Sequence, residues 1–233
     1  MNGAWRGCQS DRLPLHTREL DSLVLPQINK TKEVLARQPT RRDTHMFFDP
    51  KSFDFIDAFL QNLDRIRAEY RALDAPVLNL YRNGTHQEYF EQIINNNGWV
   101  PSWQVGSSEK NYQWLTYGLV YQGIFPNDTV QKMPCTTELL KQFPFIQVAA
   151  FSRMKPLSMI APHCHPELGG DMLTCHIGIE LAPKRSYLCV NGEFQEEVED
   201  KALVFDGSQE HFALNSGDRD RTILYMEFDR SKM

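Results

Sequence analysis

From Ile146 to Phe228 the chain is written as short runs of β-branched and aromatic residues separated by turn signals, with almost no helical period. The runs Ile146 to Met154, Met172 to Leu181, Tyr187 to Val190, Ala202 to Phe205 and Thr222 to Phe228 each have the length of a strand. Asn191-Gly192 lies between Cys189-Val190 and Glu193-Phe194, where the two residues suit a tight hairpin turn. Strands this short, at near-regular spacing, satisfy their backbone and bury their apolar faces only as a sandwich or barrel. The texture begins at Trp99, with Trp114-Leu115-Thr116-Tyr117 and Leu119-Val120-Tyr121 ahead of a break at Pro126-Asn127-Asp128, and a short helix is expected over Thr136 to Gln142, stopped by Pro144.

The preceding residues read differently. Asp49-Pro50 has the form of a helix start, and Phe55, Ile56, Phe59, Leu60, Leu63, Ile66, Tyr70 and Leu73 follow helical spacing until Ala75-Pro76. Thr85-His86-Gln87-Glu88 signals a second helix by its capping-box pattern, with Asn97-Gly98 as its stop. Residues 1–45 show no sustained period and are read as a wrapping arm. The expected organisation is an arm and helices over 1–97 packed on a β core over 98–233, together one compact unit.

Composition excludes several classes. A formal charge of -5 argues against nucleic acid as the main partner, since phosphate binding needs a clustered positive surface. Five irregularly spaced cysteines are no disulfide framework, so the thiols are expected reduced and the compartment cytoplasmic. The first 25 residues lack the apolar core of a signal peptide, and no run approaches the length of a membrane span. The expected partner is therefore a small-molecule, amino-acid or peptide substrate, with no nucleic acid and no membrane; oligomeric state is open.

Four of the seven histidines fall in the β half: His163, His165, His176 and His211. Residues two apart on an extended segment point to one side, so His163 and His165 can face one metal ion, with His211 closing the site from a neighbouring strand. Imidazole clusters of this kind suit iron, zinc, copper or nickel, and spacing does not choose among them. Arg221 begins a strand whose residues Ile223, Leu224, Tyr225 and Met226 are core-like. There it either pairs with a protein carboxylate or grips a ligand carboxylate with its planar fork. Arg219, between two aspartates, is expected in solvent, and Cys164 and Cys175 are expected as small core residues.

The series Phe151-Ser152, Pro162-His163, Cys175-His176-Ile177-Gly178, Gly192-Glu193, Lys201 to Asp206, Glu210-His211 and Arg221 resembles the aspartyl/asparaginyl β-hydroxylase family of iron(II)- and 2-oxoglutarate-dependent oxygenases over roughly residues 98 to 229. The resemblance implies a double-stranded β-helix, a cupin-like jelly roll, with iron at its mouth. It assigns the family's two iron-binding histidines to His163 and His211, and its 2-oxoglutarate contacts to Ser152, His176 and Arg221. The implied cofactors are Fe(II), 2-oxoglutarate as cosubstrate, and O2; the implied reaction hydroxylates an unactivated C–H of an amino acid, peptide or small metabolite.

The chain departs from the wider pattern at His165, where many relatives of the superfamily carry an iron-binding aspartate. His165 is left as a third ligand, a holder of metal-bound water or a substrate contact, with Glu167 as a further carboxylate candidate. Thr174 stands where some family members have an arginine, implying different substrate recognition. Two other readings stay open: a cupin-like metal dioxygenase or isomerase that does not use 2-oxoglutarate, with His163, His165 and His211 all ligating, and a non-catalytic binding barrel with structural histidines.

Overall fold

In a computed structural model that describes residues 46–79, 98–103, 110–126, 128–165 and 168–233, the β runs form two antiparallel sheets. The strands are β1 (Phe47–Phe48), β2 (Trp99–Trp103), β3 (Lys110–Tyr121), β4 (Ile146–Met154), β5 (Ser158–Met159), β6 (Met172–Glu180), β7 (Ser186–Val190), β8 (Glu193–Glu196), β9 (Ala202–Phe205), β10 (His211–Asn215) and β11 (Arg221–Asp229). The larger sheet has the order β1-β9-β6-β11-β4-β3-β2 and the smaller β5-β10-β7-β8. From β4 onward the chain passes between them, with β4, β6, β9 and β11 in the larger sheet and β5, β7, β8 and β10 in the smaller. That winding is a double-stranded β-helix, the jelly roll that the spacing of short strands and the family resemblance lead one to expect. The β7–β8 hairpin turns on Asn191 and Gly192, both at positive φ, as a two-residue turn of this kind requires.

Alternation along the strands of the larger sheet divides the apolar residues between two cores. One face sends Leu115, Tyr117, Phe151, Cys175, Ile177, Leu224, Met226 and Phe228 against the helices. The other packs Met154 and Phe205 against Leu188, Val190 and Ala213 of the smaller sheet. The helices are α1 (Asp54–Gln61), α2 (Leu63–Arg71), α3 (Thr129–Lys132) and α4 (Pro134–Gln142). Phe55, Ile56, Phe59, Leu63 and Ile66 form the buried stripe of α1 and α2.

The single helix expected after Asp49-Pro50 is instead a 3-10 turn followed by two helices. Asp49 caps the turn Pro50–Ser52 by accepting from the Lys51 N–H. The break between α1 and α2 falls at Asn62, whose N–H closes on the Phe59 carbonyl at 3.1 Å while its side-chain amide donates to the Ala58 carbonyl at 2.9 Å. An asparagine amide competes with the helix's own donors in this way. α4 matches its expected place, and its first turn is capped from outside: the Glu69 carboxylate of α2 accepts from the N–H groups of Cys135 and Thr136 and from the Thr136 hydroxyl.

The arm expected over 1–45, the helix expected after Thr85 and the acid Glu167 lie outside the described residues. Residues Met46–Met233 form a compact unit of their own. Among the described residues no helix is long and apolar enough to cross a membrane. Cys135, Cys175 and Cys189 are free thiols.

Candidate metal centre

β5 and β10 lie side by side in the smaller sheet, and the segment that follows β5 keeps to the edge of β10 for one more pair. His163 and His211 face each other there across an antiparallel bridge, exchanging N–H to carbonyl bonds of 3.0 and 2.8 Å. His165, two residues on, is held by its N–H to the Gly207 carbonyl at 3.1 Å. The result is a cluster in which one ring nitrogen from each of His163, His165 and His211 lies within 4.8 Å of the others.

Two of these rings are fixed in the form a metal needs. The Nδ1 of His163 lies 2.8 Å from the Ala161 carbonyl, and the Nδ1 of His211 lies 2.8 Å from the Gln209 carbonyl. A carbonyl only accepts, so each Nδ1 carries the proton and each Nε2 keeps its lone pair. Burial pushes the His163 pKa down from the ordinary histidine value, with the Ala161 carbonyl opposing and His165 adding to the fall. Burial, then the charge of His163, pushes His211 down to about 3. Neutral imidazoles turned together are ready-made donors for a divalent ion, and the chemistry of this set fits iron(II).

The cluster lines a cavity of about 240 Å³ between the sheets. Ser152 of β4, His176 of β6 and Arg221 at the start of β11 line the same cavity, which brings them to one site with His163, His165 and His211. Ser152 accepts from the indole N–H of Trp114 at 3.0 Å. Further along, Val100, Val120, Val148 and Ala150 make an apolar wall. Thr174 is buried on β6 and does not line the cavity, and Cys175 points into the core on the helix side. Arg219 keeps an exposed side chain, as expected for its loop.

Glu197 is the residue that sequence reasoning missed. It follows β8, is 3% exposed, and its carboxylate accepts from the Arg221 Nε at 2.8 Å and from the Arg221 Nη2. The same carboxylate meets the Nδ1 of His176 at 2.9 Å. Of the two partners considered for Arg221, a protein carboxylate is therefore present. Burial alone would raise the Glu197 carboxyl; the Arg221 guanidinium and then His176 reverse this and hold it down at about 2. Burial lowers the His176 pKa, with Glu197 partly opposing. In sequence Glu197 sits in an acidic run with Glu193, Glu196, Glu199 and Asp200, which reads as a solvated segment. A glutamate followed by Val198 is the only local sign that one acid turns inward.

An ornithine lipid ester-linked acyl 2-hydroxylase of Rhizobium tropici is 26% identical over 145 residues, covering 59% of this chain and 51% of that protein. An aspartate beta-hydroxylase domain-containing protein 2 of Mus musculus is 24% identical over 200 residues, covering 82% of this chain and 54% of its own length. The chain thus spans about half the length of these relatives. Among solved structures, an oxidoreductase of the 2OG-Fe(II) oxygenase family from Burkholderia pseudomallei aligns with 68% of this chain and 96% of its own, at 13% identity and a TM-score of 0.42. The model of the aspartyl/asparaginyl beta-hydroxylase family matches residues 61–231, and the chain belongs to that family.

Proposed function

We propose that the protein is an Fe(II)- and 2-oxoglutarate-dependent oxygenase that hydroxylates an unactivated C–H of an amino acid, peptide or small metabolite. The observation that carries this reading is the convergence of His163, His165 and His211 on one point of a cavity whose wall also contains Arg221. Iron(II) with 2-oxoglutarate and O2 supplies the oxidising power when bound, placing one oxygen atom in the substrate and releasing succinate and CO2.

The chain's own part is to bind, orient and exclude water. His163 and His211 offer Nε2 lone pairs whose direction is fixed by the carbonyls of Ala161 and Gln209. His165 stands as a third donor or as the holder of a water on the metal. Arg221 presents its remaining N–H donors to the far carboxylate of the cosubstrate, with Ser152 and His176 beside it. Trp114 holds the Ser152 oxygen in place. The valine and alanine wall suits an apolar part of the substrate. The Rhizobium tropici relative carries an acyl chain in its name as the group oxidised, and the same wall would accept the carbon chain of such a molecule.

A second reading draws on two observations: the triad is all histidine, and Arg221 already meets Glu197. Both suit a cupin-like metal enzyme that does not use 2-oxoglutarate. Family membership favours the first reading, and succinate separates the two. Iron-loaded protein given 2-oxoglutarate and O2 with a panel of amino acids, peptides and acyl amides is expected to release succinate. His163→Ala is expected to abolish that release. Substrate turnover without succinate would transfer the case to the cupin-like reading.

A further inference from the structure

Glu197 sits behind the cavity wall, against Arg221 and His176, and its segment is anchored from three directions. Its own N–H donates to the Ser186 carbonyl at 2.9 Å, which anchors it to β7. The following residue is pressed onto β6 at Gly178, where an added Cβ would lie 2.2 Å from the Val198 carbonyl oxygen. The Gly178 N–H and carbonyl bond Lys201 and Asp200 at 3.0 and 3.2 Å, closing the loop onto the strand that carries His176. The neighbouring acids are occupied elsewhere: Glu196 accepts from the Lys184 N–H and Glu199 from the Leu181 N–H. Only Glu197 among them reaches Arg221.

The pairing has a definite geometry. Arg221 carries five N–H donors in a plane, and Glu197 takes Nε and one hydrogen of Nη2, the side edge of the guanidinium. The end edge, Nη1 with the second Nη2 hydrogen, is left for a ligand. Arg221 is 1% exposed, so without Glu197 its charge would be buried with no counter-ion.

We propose that Glu197 is the resident counter-ion of Arg221, a positioning and specificity-determining residue that aims the end edge of the guanidinium at the cavity and limits how tightly a ligand carboxylate is held there. This rests on the reading that Arg221 receives the cosubstrate's far carboxylate. Two effects of removing the Glu197 charge oppose each other. Glu197→Gln keeps one acceptor oxygen for the guanidinium and loses the other, whose place an amide N–H cannot take, and it leaves a buried cation that an incoming carboxylate would neutralise. An uncompensated buried charge outweighs one neutral hydrogen bond, so the variant binds carboxylate more tightly.

The probe is glutarate, a five-carbon dicarboxylate without the keto group, titrated calorimetrically into the metal-free full chain. Glu197→Gln is expected to bind it at least about tenfold more tightly than the native chain, and the gain is expected to vanish in Glu197→Gln with Arg221→Gln. Equal or weaker binding by Glu197→Gln, or a gain that survives the second substitution, overturns the proposal. If Glu197→Gln alone does not fold, the double variant decides: its folding identifies the lone guanidinium as the cause and supports the proposal, and its failure assigns Glu197 a role of shape and overturns it. Glutarate needs neither iron nor a keto acid, so failure of the oxygenase reading leaves this result standing on its own.

Discussion

At the scale of single residues, the site is a set of charges and lone pairs held in fixed directions by the backbone. Arg221 shows why residue type matters as well as charge. Arg221→Lys keeps a cation for Glu197 but removes the planar fork. Its folding stability is expected to stay close to native, while 2-oxoglutarate affinity falls roughly 100-fold, as two charge-assisted hydrogen bonds are lost. Calorimetry on the iron-loaded variant measures this, and unchanged affinity would remove Arg221 from the cosubstrate site. The histidines give a pH dependence with a definite sign. His163 lies below its ordinary 6.5, and His211 at about 3, in the folded chain. Above 6.5 both are neutral in either state and stability is full. As pH falls from 6.5 the unfolded chain takes up protons that the folded chain refuses, so metal-free stability declines, by up to about 1.4 kcal/mol per pH unit for each histidine. Glu197, depressed from 4.5 to about 2, adds a second loss below 4.5. Urea unfolding of the metal-free protein is expected to give a lower stability at pH 5.5 than at pH 7.5; equal values would mean that the imidazoles charge freely in the fold.

At the scale of elements, what the sequence discloses depends on whether a residue's neighbours in the chain are its neighbours in space. β4, β6, β7, β9 and β11 were legible within a residue or so because their apolar residues follow one another. The strand His211–Asn215 was not, because its inward residues include the polar His211 and Asn215, buried for the site and for a turn, and the apolar alternation is lost. The helix break at Asn62 was hidden because the apolar stripe continues across it. His163, His165, His211 and Arg221 could be found from types and spacing, and Ser152 and His176 from the family resemblance, whereas Glu197 could not. Its meaning comes from a contact 24 positions away. Two tests belong at this scale. Glu69→Ala removes the outside cap of α4 and is expected to cost about 2 kcal/mol in urea unfolding; no loss would mean that solvent satisfies those donors equally well. Gly178→Ala drives a methyl into the Val198 carbonyl. It is expected to lower stability and to displace the loop bearing Glu197, so anion affinity at Arg221 changes with it.

At the scale of the whole molecule, the double-stranded β-helix joins these parts by topology alone. β5 and β10 bring His163 and His211 together, while β4, β6 and β11, neighbours in the larger sheet, bring Ser152, His176 and Arg221 to the facing wall. The helices cover the opposite face of that sheet, so the metal cluster and the helical core are separated by one layer of backbone. Activity and folding can therefore be perturbed separately, through the two faces. The central claim is that His163 and His211, with His165 as a third donor or the holder of a metal-bound water, hold iron(II) beside a pocket for a 2-keto dicarboxylate. The most direct test is anaerobic addition of Fe(II) and then 2-oxoglutarate to the full chain, followed in the visible spectrum. A weak charge-transfer band of the keto acid chelated to iron is expected, present in the native chain and absent in His211→Ala. Iron binding without that band, at saturating 2-oxoglutarate, would contradict the claim.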